Sequence, residues 1–153
     1  MGVVVYNTYV NDMGKALEAG LFSLLHTAEI AQSHVESSLE TVGLSLPKLA
    51  ALHALTEAGE SMQLSQLAAR LSCVKSNITQ LVDRLEADGF VNRSADPNDR
   101  RSRIATLTAK GRKAYQDGDR ILHEMEKELF GGLSAAEARQ LATLMEKVTH
   151  RAK

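Results

Sequence analysis

The chain has 153 residues, of which 44% are hydrophobic, and a formal net charge of −1. This length suits one domain with an extension, and no apolar run approaches the ~18 residues needed to cross a bilayer. The apolar start at residues 3–6 is too short for a secretory signal and has no basic flank. One cysteine and no tryptophan exclude an internal disulfide and a cysteine-rich zinc site, and argue against stacking on single-stranded bases. We therefore expect a cytoplasmic protein without a membrane segment.

The first predicted element is a long helix over residues 12–37. Its apolar residues follow the alternating four- and three-residue spacing of a coiled-coil seam. They are Leu17, Leu21, Leu24, Ala28, Ala31 and Val35. Ser45 and Pro47 then supply a cap and a first-turn proline for a second helix, which ends near Gly59.

Two short amphipathic helices are predicted after Gly59, over residues 64–71 and 75–88. Gly89 suits the position just after the second of them. Two helices joined by a three- or four-residue turn predict a helix-turn-helix. The residues expected to face the core are Leu64, Leu67, Ala68 and Leu71 in the first helix and Ile78, Leu81, Val82 and Leu85 in the second.

A β-hairpin is predicted directly after the helix-turn-helix. Residues 90–93 and 102–107 alternate like strands, and residues 94–100 contain the Pro, Asp and Asn that favour turns. A charged hairpin in this place is a wing. The expected fold is therefore mainly α with a small β-hairpin wing: a winged helix-turn-helix at 45–108, flanked by helices within 1–44 and 109–153.

Two further helices complete the predicted order. The first runs for roughly twenty residues and ends at Phe130, and Ser134 with Glu137 forms a capping box for the second. The expected buried positions are Tyr115, Ile121 or Leu122, Met125 and Leu129 in the first helix and Leu141, Leu144, Met145 and Val148 in the second.

The three outer helices have apolar faces that the small winged unit cannot cover. A seam as long as that of the first helix usually pairs with another seam. If the partner is a second copy, a two-fold axis places two recognition helices in successive major grooves of a palindromic site. The alternative is a bundle within one chain. We expect a homodimer, with 1–44 and 109–153 as its dimerisation region.

Charge is unevenly distributed along the chain. Residues 74–113 contain nine Lys or Arg and five Asp or Glu, whereas the remainder contains nine basic and fourteen acidic residues. A basic centre between acidic flanks is consistent with a nucleic-acid footprint, although a chance fluctuation could give the same distribution.

From Gly43 to Gly111 the sequence resembles the MarR family of winged helix-turn-helix transcriptional regulators. The matching motifs are residues 43–47, 64–71, 78–86, 89–91, 96–101 and 107–111. Each motif is weak alone, but their order and spacing are specific. The sequence departs from the pattern at Val74, where the family commonly has a capping Ser, Thr or Asp. Either Ser76 caps the helix later, or the helix starts uncapped at a cost of ~0.5–2 kcal/mol.

The resemblance implies a homodimer that binds pseudo-palindromic operators, more commonly as a repressor. It also implies release from DNA by small phenolic or other lipophilic effectors, or by oxidation. His26 and His53 are candidates for an effector pocket, because they lie on the first two long helices, near where the family's ligand cleft forms. No cofactor is expected.

The polar face of the second short helix is the predicted major-groove surface. Its candidates are Lys75, Ser76, Asn77, Thr79 and Gln80. Asn and Gln can pair with adenine, so Asn77 and Gln80 are expected at bases and the others nearer the backbone. The alternative for each is a solvated polar position. Arg84 could reach a phosphate or form a structural ion pair.

The wing tip is the predicted minor-groove contact. A narrow A·T-rich groove concentrates negative potential, which favours an inserted guanidinium. Arg100 or Arg101 is expected to enter, with Arg103 a lesser candidate, and Asp96 or Asp99 is expected to hold the arginine in place.

Other residue types give weaker signals. Cys73 stands in the helix-turn-helix turn, where the family usually has an apolar residue, so a buried structural role is expected rather than a redox switch. The five histidines show no metal-ligand spacing. The sequence also has no phosphate loop and no nucleophile elbow, so we do not expect an enzyme.

The expected function is thus a sequence-specific, effector-responsive transcriptional regulator. The alternative is a winged-helix module for protein contacts or non-specific DNA binding, without an effector response. The polar recognition face and the two arginines of the wing tip favour the regulator.

Overall fold

The computed structural model describes residues 20–72, 75–99 and 101–151, with the backbone alone at 75, 76 and 151. The helices are α1 (Gly20–Glu40), α2 (Leu46–Glu57), α3 (Leu64–Arg70), α4 (Lys75–Ala87), α5 (Ala109–Phe130) and α6 (Ala135–Arg151). The strands are β1 (Ser61–Gln63), β2 (Val91–Ala95) and β3 (Arg103–Leu107). The predicted fold, mainly α with a small β wing, is confirmed.

The sheet has three antiparallel strands in the order β1-β3-β2. The sequence predicted only the β2–β3 hairpin, so this prediction was incomplete. β1 pairs Ser61 with Thr106 and Gln63 with Ile104. Three residues are too few to show the alternation by which a strand is recognised, and it is the pairing with β3 that holds them extended.

The core lies where α2, α3 and α4 meet the sheet and the start of α5. Leu52, Leu55, Leu67, Val82 and Leu85 are fully buried there. The faces predicted for α3 and α4 are therefore confirmed, with the other expected side chains buried or packed against the core: Leu64, Ala68, Leu71, Ile78 and Leu81.

The junction between α4, β2 and α5 requires glycine at two positions. Gly89 has a φ of +75° just after α4, as predicted, and the Phe90 amide donates to the Leu85 carbonyl at 2.8 Å. A Cβ on Gly111 would lie 2.0 Å from the Phe90 carbonyl oxygen. Thr108 caps α5 by accepting from the Gly111 amide at 3.0 Å, and it donates to the Gly89 carbonyl at 2.7 Å. These contacts attach α5 to the winged unit.

The outer helices expose much of their apolar surface. On α1, which ends three residues later than predicted, Leu21, Phe22, Leu24, Leu25 and Ile30 are exposed, and Val35 packs against the core. The part of the predicted helix before residue 20, with Leu17, lies outside the described residues.

The C-terminal helices are similar. Of the predicted positions on α5, Tyr115, Ile121 and Leu122 pack against the core, whereas Leu129 is exposed. The capping box of α6 is confirmed, because the Ser134 amide donates to Glu137 at 2.8 Å and the Glu137 amide donates to the Ser134 hydroxyl at 3.3 Å. In the described part of the chain, three of the positions expected to be buried on α6 are exposed, and Leu141 is half-buried. The exposed positions are Leu144, Met145 and Val148.

Within residues 20–151, as far as they are described, no helix is long and apolar enough to cross a membrane.

Candidate nucleic-acid interface

The polar side of α4 faces away from the core. Ile78, Val82 and Leu85 fix the opposite side of the helix in the protein interior. Asn77 and Gln80 are consequently exposed, about one helical turn apart. Thr79 is also exposed and makes a contact of its own. Lys75 and Ser76 lie in the first turn, so Ser76 is inside the helix rather than ahead of it.

Arg93 of β2 fastens α4 to the base of the wing. Its guanidinium lies 2.6 Å from the Asp83 carboxylate and 3.1 Å from that of Glu86. The backbone amide of Arg93 donates to Glu86 at 3.2 Å. The arginine side chain is 29% exposed, so water screens these contacts only in part. The recognition helix and the first wing strand are therefore held together at this point.

Arg84 does not supply this tie. The sequence left open a phosphate contact or a structural ion pair for Arg84. Its side chain is exposed, and it forms no ion pair with any residue that the structure describes. The ion-pair alternative is therefore not supported: Arg93 has that role.

The wing turn is ordered by the carboxylate of Asp99. One oxygen accepts from the Arg101 amide at 3.0 Å and the other from the Ser102 hydroxyl at 2.8 Å. The expectation was that Asp99 would hold an arginine side chain. Among the described residues it holds the backbone of Arg101 instead, and the Arg101 side chain is exposed.

Asp96 is also held differently from the expectation. Its carboxylate accepts from the Asn98 amide at 2.8 Å and from the Gln63 side-chain amide at 2.5 Å. It is therefore engaged by these groups, and no arginine pairs with it in the described part of the wing. These donors, first the Asn98 amide and then Gln63, hold the pKa of the Asp96 carboxyl below its ordinary value. Asp96 thus supports the wing as an anion.

The described cations between residues 75 and 113 fall into two groups. The first group is engaged in ion pairs or hydrogen bonds: Arg93, Lys110, Arg112 and Lys113. In the second group, Arg84, Arg101 and Arg103 are exposed and have no ion pair with a described residue. These three arginines lie on α4, the wing turn and β3. Arg84 follows Asn77 by seven residues and Gln80 by four, so it lies on the same side of α4 as both.

Several predicted site residues cannot be placed. Arg100 and Cys73 lie outside the described residues, as do the side chains of Lys75 and Ser76. Val74, where the sequence departs from the family pattern, lies outside them as well.

The two candidate effector residues lie on separate helices. His26 on α1 is half-buried and makes a contact of its own. His53 on α2 is exposed, and its Nδ1 lies 3.0 Å from the Tyr115 hydroxyl of α5. Burial, with the charges of Asp119 and Glu57, raises the pKa of Tyr115, so its hydroxyl stays protonated. His53 can therefore hydrogen-bond across the gap between α2 and α5. No group of three His, Cys, Asp or Glu that could hold a metal is found among the described residues.

Sequence reasoning missed Arg93 and Gln63. A basic residue in a strand that follows an acidic helix end was a visible signal for Arg93. No local signal pointed to Gln63, because its partner is 33 residues away.

Comparison with known proteins agrees with this geometry. The model of the MarR family matches residues 44–102. An uncharacterized HTH-type transcriptional regulator of Bacillus subtilis, YkoM, is 41% identical over 86 residues, which are 56% of this chain and 55% of YkoM. The match thus spans about half the length of that relative. The HTH-type transcriptional regulator BilQ of Clostridium symbiosum is 31% identical over 115 residues, 74% of this chain and 78% of BilQ.

A more complete match in length is the HTH-type transcriptional repressor Rv2887 of Mycobacterium tuberculosis. It is 28% identical over 137 residues, 89% of this chain and 98% of the repressor.

Two solved structures show the same fold. A mutant of MarR from Escherichia coli, complexed with operator DNA, has a TM-score of 0.74 at 24% identity, covering 84% of this chain and 93% of that one. An organohalide-sensing transcriptional regulator bound to 2,4-dichlorophenol has a TM-score of 0.81 at 20% identity. The match covers 91% of this chain and 83% of that one.

Proposed function

This chain belongs to the MarR family of transcriptional regulators, and we propose that it is a sequence-specific regulator that binds pseudo-palindromic double-stranded DNA as a homodimer. The observation that carries the proposal is that α4 and the wing expose polar and basic side chains while other residues hold these elements in place. Asn77, Gln80, Arg84, Arg101 and Arg103 are exposed on these elements, while buried side chains and the Arg93 ion pairs hold the elements themselves in place.

Side-chain chemistry suggests which residues of α4 contact bases and which contact the DNA backbone. Asn77 and Gln80 read base edges in the major groove, where each can make two hydrogen bonds to adenine. Lys75, Ser76 and Thr79 contact the backbone nearby, and Arg84 reaches a phosphate further along the helix.

The wing supplies the second contact. Arg100 or Arg101 enters the minor groove, and Arg103 lies close to the phosphates. Asp99 and Asp96 keep the wing turn in shape for this insertion.

The partner for the exposed outer helices is a second copy of this chain. Leu21, Leu25, Leu144 and Val148 are each at least half exposed, and a monomer rarely leaves so much large apolar surface in water. We assign residues 1–44 and 109–153 to dimerisation and 45–108 to DNA binding. Two-fold pairing of identical surfaces gives the symmetry that a palindromic site requires.

We further propose that the regulator acts as a repressor and that a small phenolic or other lipophilic effector releases it. The relative Rv2887 is named a repressor, and the organohalide-sensing regulator was solved with a chlorophenol. In this chain the effector would bind near His26 and His53, where the Tyr115 hydroxyl supplies a further hydrogen-bonding group.

Selection of bound duplexes from genomic fragments, followed by a salt titration, tests the function. Recovery of a palindromic motif supports the proposal. Uniform binding with a steep salt dependence and no motif would support non-specific DNA binding instead. No binding at all would favour a protein-contact module.

Replacing both tip arginines tests the wing. Arg100→Ala with Arg101→Ala should weaken binding to the selected duplex by about 100-fold, because two cationic contacts are lost. The matched control, Arg139→Ala with Lys147→Ala at exposed positions of α6, should bind within about threefold of wild type. Unchanged affinity in the wing variant, with the dimer intact by sedimentation, would show that the wing does not contact DNA.

A further inference from the structure

One side chain links the helix-turn-helix to the far end of the wing. Gln63 is the last residue of β1, directly ahead of α3. Its side-chain amide donates to the Asp96 carboxylate at 2.5 Å, across the intervening strand β3. Asp96 follows the last residue of β2 and opens the turn that carries Arg101.

Gln63 makes this contact instead of capping its own helix. It occupies the N-cap position of α3 with extended backbone angles, yet it makes no side-chain capping hydrogen bond. Short side chains such as Ser, Thr, Asp and Asn are the ones that cap from this position. A long amide is poorly suited to the cap and well suited to a distant acceptor, so the residue type fits the wing contact.

The wing depends on such a link because β1 is short. β1 pairs with β3 only as far as Gln63 and Ile104, whereas β2 and β3 continue together to Ala95 and Arg103. Beyond Gln63, β2 and β3 share one further pair, Ala95 with Arg103, and the Asp96 amide then donates to the Ser102 carbonyl at 3.0 Å. The turn thus continues from two strands without a third beside them, and two strands alone are marginally stable.

The acceptor end of the link is a buried anion. Asp96 is 5% exposed and is the one buried charged side chain among the described residues. Its other donors, the amides of Asn98 and Asp99, belong to the wing turn itself. Gln63 is thus the donor that reaches the carboxylate from outside the turn. The charged neighbours Asp99, Arg101 and Arg103 are exposed, and none of them forms an ion pair with Asp96.

The geometry points to Gln63 as a positioning residue, which holds the wing turn where its arginine can reach the minor groove while α4 occupies the major groove. This inference rests on the DNA-binding function proposed above. Gln63 itself need not touch DNA; it acts through Asp96 and the turn.

The deciding variant is Gln63→Glu, which keeps the size and shape of the side chain and replaces its donating amide group with a carboxyl group. At about pH 8 two adjacent carboxylates repel each other, whereas at about pH 5.5 they can share a proton. We expect affinity for the selected duplex to fall by about tenfold at the higher pH, relative to wild type, and to recover to within about threefold at the lower one. The exchange Gln63→Glu with Asp96→Asn restores a donor–acceptor pair and should recover affinity at both.

The matched control is Gln116→Glu at an exposed position of α5. It makes the same change in charge, and its affinity relative to wild type should not depend on pH. Hydrogen exchange in the free protein provides a second readout. The amides of the wing turn at 101–102 should exchange about tenfold faster in Gln63→Glu at about pH 8, and those of α2 should be unchanged.

Three results would overturn the inference. The first is unchanged exchange in the wing turn. The second is a loosened turn with unchanged affinity for DNA. The third is a loss of affinity that neither acid nor the Asp96→Asn exchange reverses. If the wild-type protein selects no DNA sequence, the proposed function fails, while the exchange measurement still decides whether Gln63 holds the wing.

Discussion

The winged unit buries its large apolar side chains, whereas the outer helices expose many of theirs. Leu52, Leu55 and Leu67 of the winged unit are completely buried, whereas Leu21 of α1 and Val148 of α6 are 63% and 53% exposed. The winged unit therefore completes a core within one chain. The apolar faces of the outer helices are left exposed by the residues that the structure describes. The difference supports the proposal that α1 and α6 pair with a second copy, while the proposed DNA-binding surface lies on a core that one chain completes.

The comparison predicts its largest effect at the exposed apolar positions. Leu25→Glu with Val148→Glu should raise the dissociation constant of the dimer by a factor on the order of 10³ or more, because the new carboxylates would be buried without partners. Sedimentation across a dilution series measures this.

The control for this variant is Gln32→Glu with Gln140→Glu, at exposed polar positions of the same two helices. It should remain as associated as the wild type. A wild-type monomer, or a double variant that still dimerises with full affinity, would contradict the assignment of these faces to a second copy.

Where α5 joins the winged unit, a smaller but clear effect is expected from Gly111→Ala. The added methyl group would overlap the Phe90 carbonyl oxygen, and backbone must move to relieve the clash. We expect a loss of about 1–3 kcal/mol in the free energy of unfolding, measured with denaturant. The same substitution at Gly132, where a Cβ meets nothing within 4 Å, should cost much less. Equal effects at the two sites would mean that α5 is not tightly attached at Phe90.

The smallest expected effect is on the pH dependence of stability, through the Asp96 carboxylate. Because its hydrogen bonds lower the pKa of Asp96 in the folded protein, the stabilisation from this carboxylate is complete above its unfolded pKa of about 3.9 and is lost as the pH falls through the lower folded value. Asp96→Asn should be less stable than wild type near neutral pH, and the difference should shrink below about pH 4. Denaturant titrations at several pH values test this; a constant difference would contradict the hydrogen-bonded anion.

The helices could be predicted from the sequence because their signals are local. Apolar spacing located α3 and α4, and the predicted capping residues Ser45 and Ser134 stand at helix starts in the structure. β1 could not be predicted, since three residues give no period and the strand exists through its pairing with β3.

The candidate site divides in the same way. The exposed positions of Asn77 and Gln80 followed from the helical period alone. The ion pairs of Arg93 and the hydrogen bond of Gln63 depend on how separate elements meet, which no local pattern encodes. Asp96 and Asp99 were expected in the wing, but the donors described for them were not, because these backbone and side-chain groups reach the carboxylates only through the folded geometry of the turn and of β1.

The central claim is that two copies of one winged unit read DNA about a two-fold axis. Hydroxyl-radical footprinting of the full chain on the selected duplex tests it most directly. The account predicts two equivalent sets of protected positions, with major-groove centres about one helical turn (roughly 10 base pairs) or a multiple of it apart, each flanked by minor-groove protection that disappears with Arg100→Ala and Arg101→Ala. A single unpaired footprint, or protection without a dyad, would contradict it.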